Sequence, residues 1–245
     1  MSAPIIIGGC TLRHMDCMDY MRGLSDKAFD LAIVDPPYGI NAPKMGELGI
    51  VDPRGKRSAK GRLNQGSGKL KNRALNTMNC EWDDQPPSPE YFEELRRVSV
   101  NQIIWGGNYF DLPATRCVVC WDKEQPWQNF SQWEMAWTSM DKPASLFRMS
   151  NCGMAAAGKI HPTQKPIALY EWLLTNYAKP GQRILDTHLG SGSSAIAANN
   201  FGFEFVGMEL DADYFAAACN RIQQATAQDT LFAPEPVKQI QEALI

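Results

Sequence analysis

The chain has 245 residues, 44% hydrophobic and 21% charged, a composition typical of a globular domain and not of a disordered chain. No run reaches the roughly 18 apolar residues of a membrane-spanning helix, and the first residues lack the basic and apolar regions of a signal peptide. The net charge of −3 and the seven scattered cysteines exclude a strongly basic protein and a disulfide framework. We therefore expect a cytoplasmic protein with one domain over residues 1–245 and no membrane partner.

The first predicted elements are a strand and a long loop. The apolar run Leu31–Asp35 stops at two prolines and predicts a buried parallel strand. Residues 39–80 are rich in Gly, Lys, Arg and Asn, which predicts a mobile loop. Loops of this length in compact domains are usually functional.

The charge of the chain is unevenly distributed within that loop. Residues 54–73 hold eight Lys or Arg and no Asp or Glu, and removing those eight charges from the total of −3 leaves −11 on the rest. A basic segment on an acidic body is typical of an arm that contacts phosphates. A solvated loop that binds nothing explains the pattern equally well. The residues predicted to contact DNA are Arg54, Lys56, Arg57, Lys60 and Arg62.

Further along, strand patterns alternate with helical ones. Helices are predicted at Tyr91–Val98 with Ser88 as N-cap, at 166–178, from about Ser193, and at Ala212–Gln224; strands are predicted at 101–106, 117–121, 133–138, Arg183–Asp186 and Phe205–Glu209. Residues 139–160 show no clear period, and the last twenty residues resemble a tail. This alternation predicts an α/β fold with a doubly wound, mostly parallel sheet. Because Cys117 and Cys120 lie in a predicted strand without a second CxxC, we expect no metal.

A nucleotide site is predicted between the last two strands. The segment from Asp186 to Ala195 fits strand, glycine turn and helix start, with Gly190, Gly192 and Ala195 matching G-x-G-x-x-A. Glu209 ends the next strand, where a carboxylate accepts hydrogen bonds from ribose hydroxyls. Asp186 would repel a pyrophosphate at the helix N-terminus. It suits the cationic end of S-adenosylmethionine, which favours this methyl donor over NAD.

The most specific motif is Asp35-Pro36-Pro37-Tyr38. Pro36 lacks an N–H, so it offers only its carbonyl beside the Asp35 carboxylate, and two acceptors can bind both hydrogens of an –NH2 group. The lone pair of an exocyclic base amine is delocalised into the ring. Accepting both N–H groups favours the pyramidal, reactive amine, and Tyr38 can stack on the base.

This chain resembles the beta class of amino-DNA methyltransferases. Their D-P-P-Y motif matches residues 35–38; their F-x-G-x-G cofactor loop is similar to residues 186–192, with Leu189 where the aromatic residue often sits; and their H-P-T-Q-K-P segment matches residues 161–166. Asp16-Cys17 is similar to the family's D-C pair, whose acid lies near the adenine of the cofactor. The order of the motifs also agrees, with the catalytic motif first and the cofactor motif last.

The resemblance implies a Rossmann-like, seven-stranded sheet that binds S-adenosyl-L-methionine at the carboxyl ends of its strands. It implies methylation of N6 of an adenine flipped out of double-stranded DNA, since D-P-P-Y is commoner in adenine enzymes than in cytosine-N4 enzymes. Only residues 122–160 remain for target recognition, which argues against long recognition sequences. The predicted cofactor residues are Asp16, Cys17, Asp35, Thr163, Lys165, Asp186, His188, Leu189, Gly190, Ser191, Gly192, Glu209 and Leu210; the predicted catalytic residues are Asp35, Pro36, Pro37 and Tyr38.

Three alternatives stay open at this point. A cytosine-N4 methyltransferase uses the same chemistry. A NAD-dependent oxidoreductase explains Gly190, Gly192 and Glu209 but leaves Asp35 and Tyr38 without a role. A DNA-binding module that has lost catalysis explains the fold but not the intact catalytic motif. The sequence also leaves open whether two copies form a homodimer.

Overall fold

The strands of this protein form one mixed sheet. The computed structural model describes residues 3–40, 83–124, 131–150 and 160–229, and in these residues the sheet has nine strands in the order β1-β2-β9-β8-β3-β4-β6-β5-β7. The strands are β1 Ile5–Ile7, β2 Cys10–His14, β3 Phe29–Val34, β4 Ser99–Trp105, β5 Val118–Asp122, β6 Trp133–Thr138, β7 Ser145–Arg148, β8 Arg183–Asp186 and β9 Glu204–Glu209.

The expected α/β class with a mostly parallel sheet is confirmed, but the expected number of seven strands is wrong. The five central strands from β2 to β4 are mutually parallel, whereas β1 and β6 run antiparallel to their neighbours. Strands β1, β2 and β7 were not predicted from the sequence. These strands are short or half-exposed, so their apolar pattern is weak.

The helices pack on both faces of the sheet, as a doubly wound fold requires. They are α1 Cys17–Arg22, α2 Pro89–Val98, α3 Ile167–Tyr177, α4 Ser193–Asn200 and α5 Ala212–Asp229. From Leu31 onward, alternate side chains of β3 enter two separate buried clusters: Leu31 and Ile33 join α3, α4 and α5, while Ala32 and Val34 join α1 and α2. Period-two alternation of one strand therefore supports both layers.

Two helix ends differ in detail from the prediction. Ser88 has the extended backbone of an N-cap, but its side chain makes no capping hydrogen bond, and Pro89 starts α2. Helix α5 continues to Asp229, so the predicted tail does not begin at residue 226. None of the described helices has the length and apolar character needed to span a membrane.

Two predicted functional segments lie wholly or partly outside the described residues. Residues 41–82, which include the five predicted DNA contacts at 54, 56, 57, 60 and 62, are outside them. Of the candidate target-recognition region 122–160, the described part supplies β6 and β7 to the sheet. This region is therefore built partly into the fold.

The parallel strands place the catalytic and cofactor motifs at one edge. Strands β3, β8 and β9 run in the same direction, so their carboxyl ends meet. Asp35 follows β3, Thr187 follows β8, and Glu209 ends β9. Ligands of open parallel sheets bind at this edge.

Candidate active site

A cavity of about 460 Å³ opens at the carboxyl edge of the sheet, within the usual size range of small-molecule sites. Most of the predicted cofactor residues line it: Asp16, Cys17, Asp35, Thr163, Lys165, His188, Leu189, Gly190, Ser191, Glu209 and Leu210. Asp186 and Gly192 are not in the lining formed by the described residues. Of the catalytic motif, Asp35 and Pro37 line the cavity, whereas Pro36 and Tyr38 do not.

The charge of the lining is mostly negative. Among the described residues, it contains four carboxylates, those of Asp16, Asp35, Glu209 and Asp211, and one ammonium, that of Lys165. The Lys165 ammonium is already paired with Asp35. Such a lining suits a cationic ligand and repels a pyrophosphate.

The two glycines of the loop have different roles. Gly190 has φ +51° and Gly192 has φ +74°, which is the left-handed region that glycine tolerates best. A Cβ on Gly192 would lie 2.9 Å from Cδ1 of Ile222, so this glycine allows α4 and α5 to pack. A Cβ on Gly190 would meet nothing closer than 3.9 Å. Gly190 therefore serves the turn and leaves the cavity open.

The Asp186 carboxylate is hydrogen-bonded to both ends of the glycine loop. It accepts hydrogen bonds from Ser194 Oγ at 2.5 Å and from the backbone N–H of His188 at 3.0 Å. Burial raises the pKa of Asp186 to about 7. The structure thus places this carboxylate under the turn rather than in the cavity lining.

Glu209 lies where the end of β9 meets the glycine loop. Its Oε2 accepts the backbone N–H of Gly190 at 2.9 Å, and its Oε1 accepts that of Asp211 at 3.0 Å. Burial raises the pKa of Glu209, while these backbone hydrogen bonds oppose the shift. Each oxygen keeps a lone pair that can accept from a ligand.

Two histidines line the cavity. The first position of F-x-G-x-G is His188, two residues before Gly190, so the assignment of that position to Leu189 is wrong by one residue. The His188 ring lies edge-on to Tyr91, with ring centroids 5.5 Å apart, and burial lowers its pKa to about 4. His161 contacts the Thr163 hydroxyl through Nδ1 at 3.2 Å, which fixes the H-P-T turn.

The catalytic loop is tied to a residue that was not predicted from the sequence. Asp83 accepts the backbone N–H groups of Tyr38 and Gly39 through Oδ1, at 2.6 and 2.9 Å. Asp83 is 45 residues from Tyr38 along the chain, and no local pattern connects the two. Its carboxylate fixes the backbone that follows Pro36 and Pro37.

The Tyr38 ring packs against protein on one face. It stacks on Tyr109 with ring centroids 5.0 Å apart and an interplanar angle of 15°, so this face is not available to a base. Its hydroxyl donates to Asp35 Oδ1 at 2.7 Å. Gly106 leaves room for the ring, since a Cβ there would lie 2.2 Å from Tyr38 Cε1. Tyr38 therefore orients Asp35.

Lys165 makes contacts that its motif did not predict. Its Nζ lies 2.5 Å from Asp35 Oδ2, 3.1 Å from Glu134 Oε2 and 3.2 Å from the Tyr38 hydroxyl. Glu134, on β6, was not among the predicted site residues. Lys165 also accepts the Ser193 hydroxyl through its backbone carbonyl at 2.8 Å. The residue thus joins the catalytic loop to the cofactor loop.

Comparisons with known proteins find similarity to DNA methylases. The family N6_N4_Mtase, described as a DNA methylase, matches residues 120–220. The Escherichia coli K12 protein YubD, named as a methylase, is 24% identical over 90% of this chain and 96% of its own length. The type II methyltransferase M2.DpnII of Streptococcus pneumoniae is 27% identical over 59% of this chain and 50% of its own.

Solved structures share the fold. The M1.HpyAVI–SAM complex superposes with a TM-score of 0.52 at 18% identity, over 86% of this chain and 99% of that one. The cytosine-N4-specific PvuII DNA methyltransferase superposes with a TM-score of 0.51 at 14% identity, over 89% and 92%. Both have the same α/β architecture as this chain.

Proposed function

We propose that this chain is an amino-DNA methyltransferase that uses S-adenosylmethionine and methylates N6 of an adenine flipped out of duplex DNA at a specific site. The observation that carries the proposal is that Asp35 and Glu209 line the same cavity. An acceptor for an amine and an acceptor for a ribose thus lie in one connected site. The similarity to DNA methylases supports this function over that of a NAD-dependent oxidoreductase.

The cavity fits the methyl donor in size and in charge. Glu209 would hold the ribose hydroxyls, because each of its oxygens keeps a lone pair beside its backbone N–H bond. Asp16 would lie near the adenine ring, and the backbone of Gly190 and Ser191 would approach the ligand closely. When bound, S-adenosylmethionine supplies an electrophilic methyl group on a sulfonium.

At the other end of the cavity, Asp35 would accept one N–H of the target amine. The Pro36 carbonyl, which lies next to Asp35 in the chain but outside the cavity lining, is the proposed acceptor of the other. Both acceptors favour the pyramidal amine over the flat, delocalised form, so they stabilise the transition state more than the ground state. Tyr38 holds Asp35 by its hydroxyl at 2.7 Å. The acceptor is therefore oriented before the base arrives.

A flipped adenine is the substrate favoured by the motif and by the depth of Asp35. The Asp35 side chain is only 16% exposed, and a base stacked in a duplex cannot reach it. The first residue of the motif is Asp, which is commoner in adenine enzymes, rather than the Ser of many cytosine-N4 enzymes. Residues 54–73 and 122–160 are our candidates for holding and recognising the duplex.

The product of the reaction tests the proposal. The purified protein is incubated with S-adenosylmethionine and duplex DNA of mixed sequence, and the nucleosides are separated by liquid chromatography and identified by mass spectrometry. We expect N6-methyldeoxyadenosine. N4-methyldeoxycytidine would support the cytosine alternative, and the absence of any methylated nucleoside would contradict the proposed activity.

A further inference from the structure

A line of four alternating charges begins in the cavity lining with Asp35 and Lys165 and continues outside that lining with Glu134 and Lys123. Lys123 Nζ pairs with Glu134 Oε1, Glu134 Oε2 lies 3.1 Å from Lys165 Nζ, and Lys165 Nζ lies 2.5 Å from Asp35 Oδ2. The two lysine side chains are 12% and 3% exposed. Placing an ammonium this deep costs free energy unless carboxylates surround it, and Lys165 has two of them.

If the Asp35 carboxylate were paired with Lys165 alone, it would be a weaker acceptor for the target amine. A single ammonium next to the Asp35 carboxylate offsets the negative charge that makes this carboxylate a strong acceptor for the target amine. The Glu134 carboxylate lies 3.1 Å from the same ammonium and so reduces the effect of Lys165 on Asp35. Lys123 in turn keeps Glu134 paired, so the four groups together carry no net charge.

We propose that Glu134 is a positioning residue for methyl transfer: it holds the Lys165 ammonium between two carboxylates, so that Asp35 is kept oriented and remains a strong acceptor for the target amine. The inference rests on the proposed amine methylation. It also assigns the Lys165 side chain to Asp35 rather than to the cofactor. Glu134 acts through Lys165, since its own oxygens contact Lys165 and Lys123.

Lys165 and Glu134 shift the pKa of Asp35 in opposite directions. Burial raises the pKa of Asp35, the Lys165 ammonium lowers it, and the Glu134 carboxylate raises it. Burial opposes the charge on Glu134, yet the two lysines lower the pKa of Glu134 to about 2. Removing the charge of Glu134 should lower the pKa of Asp35, and removing that of Lys165 should raise it.

Other titratable groups also interact with Asp35, and the variants at Glu134 and Lys165 leave these groups unchanged. The Tyr38 hydroxyl donates to Asp35, and the charge of Asp35 also influences the pKa values of Tyr91, Tyr170 and Asp186. Asp186 has a pKa of about 7, so a pH–rate profile alone does not identify Asp35. The titration of Asp35 has to be followed directly.

The test is a carbon-13 NMR titration of aspartate carboxyl groups in the cofactor-free protein, with Asp35→Asn to assign the signal. In Glu134→Gln we expect the pKa of Asp35 to fall by about one unit. In Lys165→Met we expect it to rise by more, because Lys165 both pairs with Asp35 and hydrogen-bonds to it. Glu134→Asp keeps the charge and should restore most of the wild-type value. Glu94→Gln is the matched control, because Glu94 is a similarly exposed carboxylate, at 19% against 23%, paired with Arg97 on α2.

The kinetic arm measures single-turnover methylation of bound duplex at saturating cofactor. Glu134→Gln should slow the step at least tenfold at neutral pH, with the dissociation constants of DNA and cofactor within about twofold of wild type. Glu94→Gln should leave the rate unchanged. Shifts of Asp35 that are absent, or that have the same sign in Glu134→Gln and Lys165→Met, would overturn the inference. If wild type fails to methylate any base, the proposed function fails, and the NMR titration still decides the role of Glu134.

Discussion

The two ends of the cavity are built in different ways. At the cofactor end, Asp186 binds the N–H of His188 two residues away, and Glu209 binds the N–H of Gly190 nineteen residues away. At the amine end, Tyr38 is bound by Asp83 and by Lys165, 45 and 127 residues away. The first end is a local strand–loop–helix unit with one neighbouring strand, whereas the second exists only when distant segments meet.

The bonds at the two ends also differ in kind. The cofactor end relies on backbone N–H groups, which are in place whenever the loop is folded. The amine end has two such backbone bonds, those to Asp83, but it relies in addition on buried side-chain charges, where one missing partner leaves an uncompensated charge. We therefore expect substitutions at the cofactor end to change affinity and substitutions at the amine end to change the rate.

The largest effect is expected from Asp35→Ala. Loss of the amine acceptor should lower kcat by about a hundredfold or more, as for other groups that bind a transition state, while calorimetry shows retained cofactor binding. Asp30→Ala is the control, since Asp30 lies on the same strand and accepts the Arg183 N–H away from the cavity. If Asp35→Ala keeps more than about a tenth of the wild-type kcat, against the loss typical of removing such a group, Asp35 is not the acceptor.

Glu209→Ala tests the cofactor end of the cavity. The ribose should lose a charged acceptor, which weakens S-adenosylmethionine binding by about 1–3 kcal/mol in calorimetry. Glu204→Ala, on the exposed start of the same strand, should leave the dissociation constant unchanged. If the Glu209 variant and wild type bound S-adenosylmethionine equally well, Glu209 would not be the residue that holds the ribose.

Gly106→Ala tests the packing of the amine end. The new Cβ would lie 2.2 Å from Tyr38 Cε1, so the ring must shift and its hydroxyl must leave Asp35. We expect a loss of about tenfold in single-turnover rate with little change in cofactor affinity. Gly202→Ala has the same backbone strain, at φ +69° against +72°, but no atom within 4 Å of its Cβ. Similar rates in both variants would show that Tyr38 packing does not matter.

The smallest effect at saturating DNA is expected from the basic segment. Alanine at Lys56, Arg57, Lys60 and Arg62 should weaken binding to all duplexes alike, because phosphate contacts position DNA without specifying sequence. The log–log dependence of affinity on salt should flatten by about 0.9 for each phosphate that the variant no longer neutralises. Titrations at several salt concentrations measure it, with cofactor affinity as the control. A variant that matches wild type would make residues 54–73 a solvated linker.

Much of the fold follows from local sequence. The apolar runs that predict β3, β6, β8 and β9 match the observed strands within one or two residues. The strands that escaped prediction, β1, β2 and β7, are short or lie at or near the edges of the sheet, where few side chains are buried and the pattern is weak. Local periodicity reflects burial, and weakly buried strands show little of it.

The sequence by itself determined the two motifs, their order, and the carboxylates Asp35 and Glu209, because each motif needs residues only a few positions apart. The tertiary structure alone decided which distant side chains complete the amine end. Glu134 comes beside Lys165 and Asp35 because β6 pairs with β4, which pairs with β3, and Asp83 comes beside Tyr38 across 45 residues. Pairing between strands that are far apart in the chain follows from the burial of the whole sheet, and no short stretch of sequence contains that information.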